Sequence, residues 1–272
     1  MNLNIKLAGL NAVVHLPVSY AVSTQTYPVI YFFPGTGEVG TDITKLLIYG
    51  PNAYIAAGWN GIINNHEYII ISIQPSGLYP RPWVIKAAID AAEIAYRVDK
   101  TKVCMTGLSM GGWVSNIFAT YKPTATDFSY LDRVKCVLNV QGVVPDDNYD
   151  ATPVYPNKFT EWANRGGKEL CLEQILDNRS MDKITNTMNA AVAGSSVYVQ
   201  TAFGNGGHCC WQQVYGGSWQ KDNKTAYEIV DNYLYDNTTV IINPPPPPPP
   251  PVPVVATAVI TLYSDGTWKK II

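Results

Sequence analysis

Basic clusters are missing from this sequence: no stretch of lysine or arginine is longer than the pair Lys269-Lys270, and the formal net charge is −2. A chain that holds nucleic acid needs a cationic face to neutralise phosphates, so nucleic-acid partners are excluded. Charge of either sign is scarce, at 15% of residues. No apolar run reaches the about 18 residues that a membrane-spanning helix needs, so no span is expected. The first residues, MNLNIKLAGLNAVVHLPVSY, lack a basic stretch, an apolar core and a small-residue cleavage site; no signal peptide is visible. Histidine is the rarest ionisable residue, with only His15, His66 and His208, which narrows any search for a general base. There are five cysteines. Cys104, Cys136 and Cys171 lie in apolar, strand-like runs and read as small buried hydrophobes. Cys209 and Cys210 are adjacent, a geometry that strains a bridge between them, and no cysteine shows a zinc-ligand spacing. Neither a metal nor a cofactor is expected.

What is present is a long apolar chain. With 47% hydrophobic residues among 272, one domain of roughly 240 residues can bury a full core and still carry a tail. The 18 tyrosines and 7 tryptophans would suit stacking on sugars or aromatic esters.

The alternation of apolar and polar residues from Asn2 to Pro17 predicts an antiparallel hairpin at a sheet edge. A continuous apolar run follows at Val29–Phe33, and strand-like runs at Tyr68–Ile73, Val103–Met105, Val134–Val140, Lys168–Gln174 and Val197–Phe203, separated by helical periods such as Pro82–Arg97. Strands alternating with helices imply an α/β fold, a mostly parallel sheet with helices on both faces and ligands at the strands' C-terminal ends. The polar and aromatic stretch from Asp146 to Gly167, with Tyr149, Tyr155, Phe159 and Trp162, reads as an insertion or lid over that edge. From Asn243 the composition changes: eight prolines, Pro244 to Pro251, predict a stiff polyproline II rod. Beyond it, Asp265-Gly266 predicts the turn of a short β-hairpin. The expected organisation is a domain at 1–243, a linker at 244–253 and a hairpin segment at 254–272 that docks on the main domain, a partner or another copy.

The stretch KVCMTGLSMGG, Lys102 to Gly112, contains G-x-S-x-G at a strand-to-helix junction. Such a turn crowds its own backbone, so its flanks must be small, and the serine is left exposed at the strand tip. Ser109 would be the nucleophile, with the amide of Met110 facing a developing oxyanion. A Gly-rich βα turn with a solvated serine would carry the same residues. Pro34-Gly35-Thr36-Gly37, after the strand Val29–Phe33, offers the second half of an oxyanion hole. A serine hydroxyl needs a base, and the base needs an acid to hold its tautomer. His208 lies behind a Gly-rich loop after the last core strand, whereas His15 and His66 follow no core strand. Asp177 stands at a strand exit; Asp182, Glu173, Asp146 and Asp147 are its rivals, and helix capping is an alternative role for it.

These residues carry a resemblance. VDKTKV…GLSMGGW resembles the VDxxRVxxxGxSMGG stretch of α/β-hydrolase esterases grouped around polyhydroxybutyrate depolymerases, feruloyl and acetylxylan esterases and dienelactone hydrolase. FFPGTGEVGTD is similar to their HGxGExG loop with Pro34 in place of histidine, EQILD stands where they have HGxxD, and GGHCCW matches their terminal GxH with a following aromatic. The resemblance spans about residues 27 to 215 and implies the α/β-hydrolase fold, a catalytic set of Ser109, Asp177 and His208, and an oxyanion hole from the amides of Thr36 and Met110, with Gly37 as rival to Thr36. The expected function is hydrolysis of carboxylic esters through an acyl-enzyme, on an acylated polysaccharide or another polymeric or surface-bound ester, outside the cell or at its surface. A catalytically idle binding module and a peptidase or thioesterase are the alternatives.

Overall fold

The structure is a computed structural model that describes residues 2–145, 157–177, 179–202, 207–235, 259–262 and 268–271. The polyproline linker expected at 244–253, Tyr149 and Tyr155 of the expected lid, the rival acids Asp146 and Asp147, and residues 203–206 of the Gly-rich exit all lie outside the described residues. The chain divides into two units, Met1–Ile242 and Asn243–Ile272.

The first unit is built on eight strands: β1 Asn2–Leu7, β2 Leu10–His15, β3 Tyr27–Phe33, β4 Ile69–Gln74, β5 Val98–Leu108, β6 Val134–Val140, β7 Lys168–Gln174 and β8 Ser196–Thr201. They form one sheet in the order β1-β2-β4-β3-β5-β6-β7-β8. The edge hairpin β1-β2 pairs antiparallel and β2 joins β4 antiparallel, while the remaining neighbours are parallel. Central strands of such a sheet are covered on both faces and so read as unbroken apolar runs. In β3, Val29, Tyr31 and Phe33 face one core and Ile30 and Phe32 the other. The principal helices are α1 Pro51–Ala56, α2 Pro82–Ala95, α3 Met110–Ala119, α4 Asn157–Asn164, α5 Asp182–Ala191 and α6 Ala226–Tyr235. Apolar side chains of α2, α3, α4 and α5 pack into the first core, those of α1 and α6 into the second. Proline opens both α1 and α2, where its missing N–H costs nothing. In the second unit, β9 Val259–Leu262 and β10 Trp268–Ile271 pair antiparallel.

One expectation is corrected here. Phe159 and Trp162 do not belong to a lid; they lie on one face of α4, fully buried in the first core. Trp162 Nε1 donates to Val134 O at 2.9 Å, which satisfies its one polar group. Two aromatics three residues apart in a polar stretch are a helix's inner face as readily as a ligand-facing loop. All five cysteines are free thiols.

Beneath α3 the sheet buries a carboxyl that the site does not use. Glu169 on β7 is fully buried, accepts from Asn139 Nδ2 at 3.3 Å and leaves Oε2 without a partner. Burial pushes this carboxyl up from the ordinary 4.5 to about 7. Between those values the folded chain keeps a proton that the unfolded chain has released, so stability falls as pH rises through the window. Glu169→Gln removes that dependence. Urea denaturation should show the variant gaining on wild type by up to about 3 kcal/mol between pH 4.5 and pH 8; a difference that does not change with pH would count against a raised value.

Candidate active site

Only Ser109 separates β5 from α3. Its φ of 55° and ψ of −121° lie where a side chain is strained, a conformation that persists only if its surroundings enforce it. They do. A Cβ on Gly107 would stand 2.1 Å from the carbonyl carbon of Gly111, and one on Gly111 would stand 1.9 Å from Phe33 O. Neither position tolerates a larger residue, which is the physical content of the G-x-S-x-G spacing. Ser109 N donates to Val140 O at 3.0 Å, tying the elbow to β6.

The loop after β3 lies against this turn. A Cβ on Gly35 would be 2.7 Å from Leu108 Cδ1 and 3.5 Å from Ser109 Cβ, so a larger residue here would have to displace the Leu108 side chain. Thr36–Glu38 then form a short 3-10 turn that contains the Thr36 and Gly37 amides, while Met110 opens α3 on the other side of the serine. Gln74 Nε2 donates to Glu38 O at 2.8 Å and Asp42 O at 2.7 Å, and Lys45 Nζ to Gly37 O at 3.1 Å; these bonds hold the loop in place. The Glu38 carboxyl packs against Gly35 with Oε2 buried and unpartnered, and burial raises its pKa.

Asp177 and His208 come together from loops after β7 and β8. His208 Nδ1 lies 2.8 Å from Asp177 Oδ2, and Asp177 Oδ1 accepts from Arg179 Nε at 3.0 Å. The Asp177 side chain is 4% exposed and that of His208 27%, although the His208 Nε2 atom is itself buried. His208 Nε2 has no hydrogen-bond partner, so Ser109 and His208 are not hydrogen-bonded to each other. The imidazole ring packs edge-on against Trp211, with centroids 5.1 Å apart. Asp177 does not cap a helix: the residue preceding α5 is Met181. Its rival Glu173 is occupied elsewhere, accepting from Tyr198 Oη at 2.9 Å and from the Arg179 amide.

Gln141 is the residue that sequence reasoning passed over. It follows β6 with φ 52°, is fully buried, and its side chain makes three hydrogen bonds. Nε2 donates to Asp177 Oδ2 and to Gly207 O, each at 2.9 Å, and Oε1 accepts from Cys210 N at 2.6 Å. One amide thus fastens the acid to both sides of the histidine. Its sequence signal was its place at a strand exit, shared with many residues that do nothing. The other histidines are engaged away from the serine: His15 contacts Asn2 and Asn60, and His66 Nδ1 lies 2.9 Å from Asp231 Oδ1 with its ring stacked on Tyr235.

No family model and no curated protein matches this sequence. Solved structures do. A ferulic acid esterase superposes with a TM-score of 0.52 at 18% identity, over 86% of this chain and 97% of that one. A thermostable esterase superposes with a TM-score of 0.50 at 14% identity over 86% of this chain, which spans 59% of that esterase's length. The chain has the α/β-hydrolase fold. In this α/β-hydrolase frame, strain is concentrated at the sheet's C-terminal rim. Of the ten non-glycine residues with positive φ among the described residues, Tyr79, Ser109, Gln141, Leu176 and Ser180 lie past the ends of β4, β5, β6 and β7. Among the described residues, no group of acidic, histidine or cysteine side chains could hold a metal ion, and no helix is long and apolar enough to cross a membrane.

Proposed function

We propose that this protein is a serine hydrolase of carboxylic esters. The observation that carries the reading is the strained Ser109 at the elbow, combined with a His208–Asp177 pair that Gln141 fastens on the same rim. Ser109 Oγ attacks the ester carbonyl while His208 Nε2 takes its proton; Asp177 holds Nδ1–H and offsets the imidazolium charge. The amides of Met110 and of Thr36 or Gly37 receive the oxyanion. His208 then protonates the departing alcohol, and water releases the acid by the same steps in reverse. The ferulic acid esterase that superposes on this chain is named for ester hydrolysis, in agreement with this chemistry.

We extend the proposal to an acylated polysaccharide or other polymeric ester as substrate, met outside the cell or at its surface. Exposed apolar side chains around the rim, Leu78 and Trp83 among them, support contact with a large ligand. A fluorophosphonate tests the core of the reading, because only an activated serine displaces its fluoride. One adduct per chain on Ser109 is expected by mass spectrometry. An unlabelled protein would favour a binding module that retains the fold without the chemistry.

A further inference from the structure

We infer that the loop between β4 and α2 is the acyl-binding wall of the site, with Leu78 and Tyr79 selecting esters whose acyl group is apolar and larger than acetyl. This rests on the serine-hydrolase reading above. Tyr79 has φ 47°, a strained conformation for a tyrosine, fixed by contacts to the elbow helix itself. Its amide donates to Met110 Sδ at 3.2 Å, and its ring meets Trp113 edge-on with centroids 5.2 Å apart. Met110 is the residue next to the nucleophile. Yet the Tyr79 residue is 46% exposed and Leu78 is 57% exposed, so an apolar surface is held open beside Ser109. Water gains nothing from such a surface, whereas an apolar ligand does.

The chemistry decides which part of the ester lies there. His208 must protonate the departing alkoxide, so the alcohol lies on the imidazole's side of the carbonyl and the acyl substituent on the other. Sheet order places the two sides: Asp177 and His208 follow β7 and β8, while Leu78 and Tyr79 follow β4, across β5 from them. The acyl group therefore points toward the Leu78-Tyr79 loop. The exposed Ile175 and Leu176, next to the acid, face the alcohol's side instead.

The test compares kcat/KM for p-nitrophenyl hexanoate and p-nitrophenyl acetate. Tyr79→Gly suits the positive φ and removes the ring; it should lower the hexanoate-to-acetate ratio on the order of tenfold. Tyr79→Phe keeps the ring and should hold the ratio within about twofold of wild type. Leu78→Ser, at a more exposed position, should shift the ratio in the same direction as Tyr79→Gly by a few fold and guards against a folding defect. Fluorophosphonate labelling of each variant reports whether the nucleophile is intact. An unchanged ratio in labelled Tyr79→Gly and Leu78→Ser overturns the wall. So does a loss seen only when the alcohol is varied at fixed acetyl. Wild type that hydrolyses both esters without labelling at Ser109 overturns the serine mechanism, and the acyl wall with it.

Discussion

Ser109→Ala is expected to lower kcat for p-nitrophenyl acetate by at least about 10⁴-fold, and to abolish the burst of p-nitrophenol that marks acyl-enzyme formation. In the proposed mechanism Oγ is the atom that forms the covalent bond, and it sits on a single residue squeezed between Leu108 and Met110 by the close approach of Gly107 to Gly111. Alanine at φ 55° meets the same backbone strain that serine already bears, so folding should change little. Circular dichroism and urea midpoints should match wild type. The remaining activity would come from the oxyanion amides and binding alone. A variant that hydrolyses at the wild-type rate would remove Ser109 from the mechanism whatever its geometry.

Asp177→Asn should cost about 10⁴-fold in kcat with KM changed only a few fold. The reason lies in how its oxygens are used. Oδ2 faces the His208 ring nitrogen and the Gln141 amide, while Oδ1 faces Arg179. Three donors converge on a carboxylate, and an asparagine offers only one acceptor oxygen. If that oxygen stays toward His208 and Gln141, its amino group opposes the Arg179 guanidinium; if it flips, a donor faces Nδ1 and selects the wrong tautomer. Either way the charge that offsets the imidazolium is gone. Initial-rate kinetics from pH 5 to pH 9 would check this, and a near-normal kcat would move the acid's role to another carboxylate.

The extent to which the fold could be read from the chain follows from what is local. Val29–Phe33 is apolar over its full length, and Val134–Val140 and Lys168–Gln174 keep apolar residues through most of their middle, because central parallel strands are covered twice; each is a strand. Asp146 to Gly167 was ambiguous for the opposite reason: Phe159 and Trp162 among polar neighbours match both an inner helix face and an exposed aromatic loop, and the core took them. Leu78 and Tyr79 gave no periodic signal at all, since a loop's position depends on the elements that flank it.

By itself, the sequence determined the order of strands and helices and the glycine spacing that forces Ser109 into a tight turn, because hydrophobic period and steric crowding act within a few residues. Tertiary structure alone decided that Asp177 meets His208, 31 positions away, that Gln141 binds both loops, and that Asp231 goes to His66, 165 positions away. Such pairings depend on which strands lie side by side and which loops share a rim. Packing of the whole sheet fixes that, and no short stretch of residues encodes it.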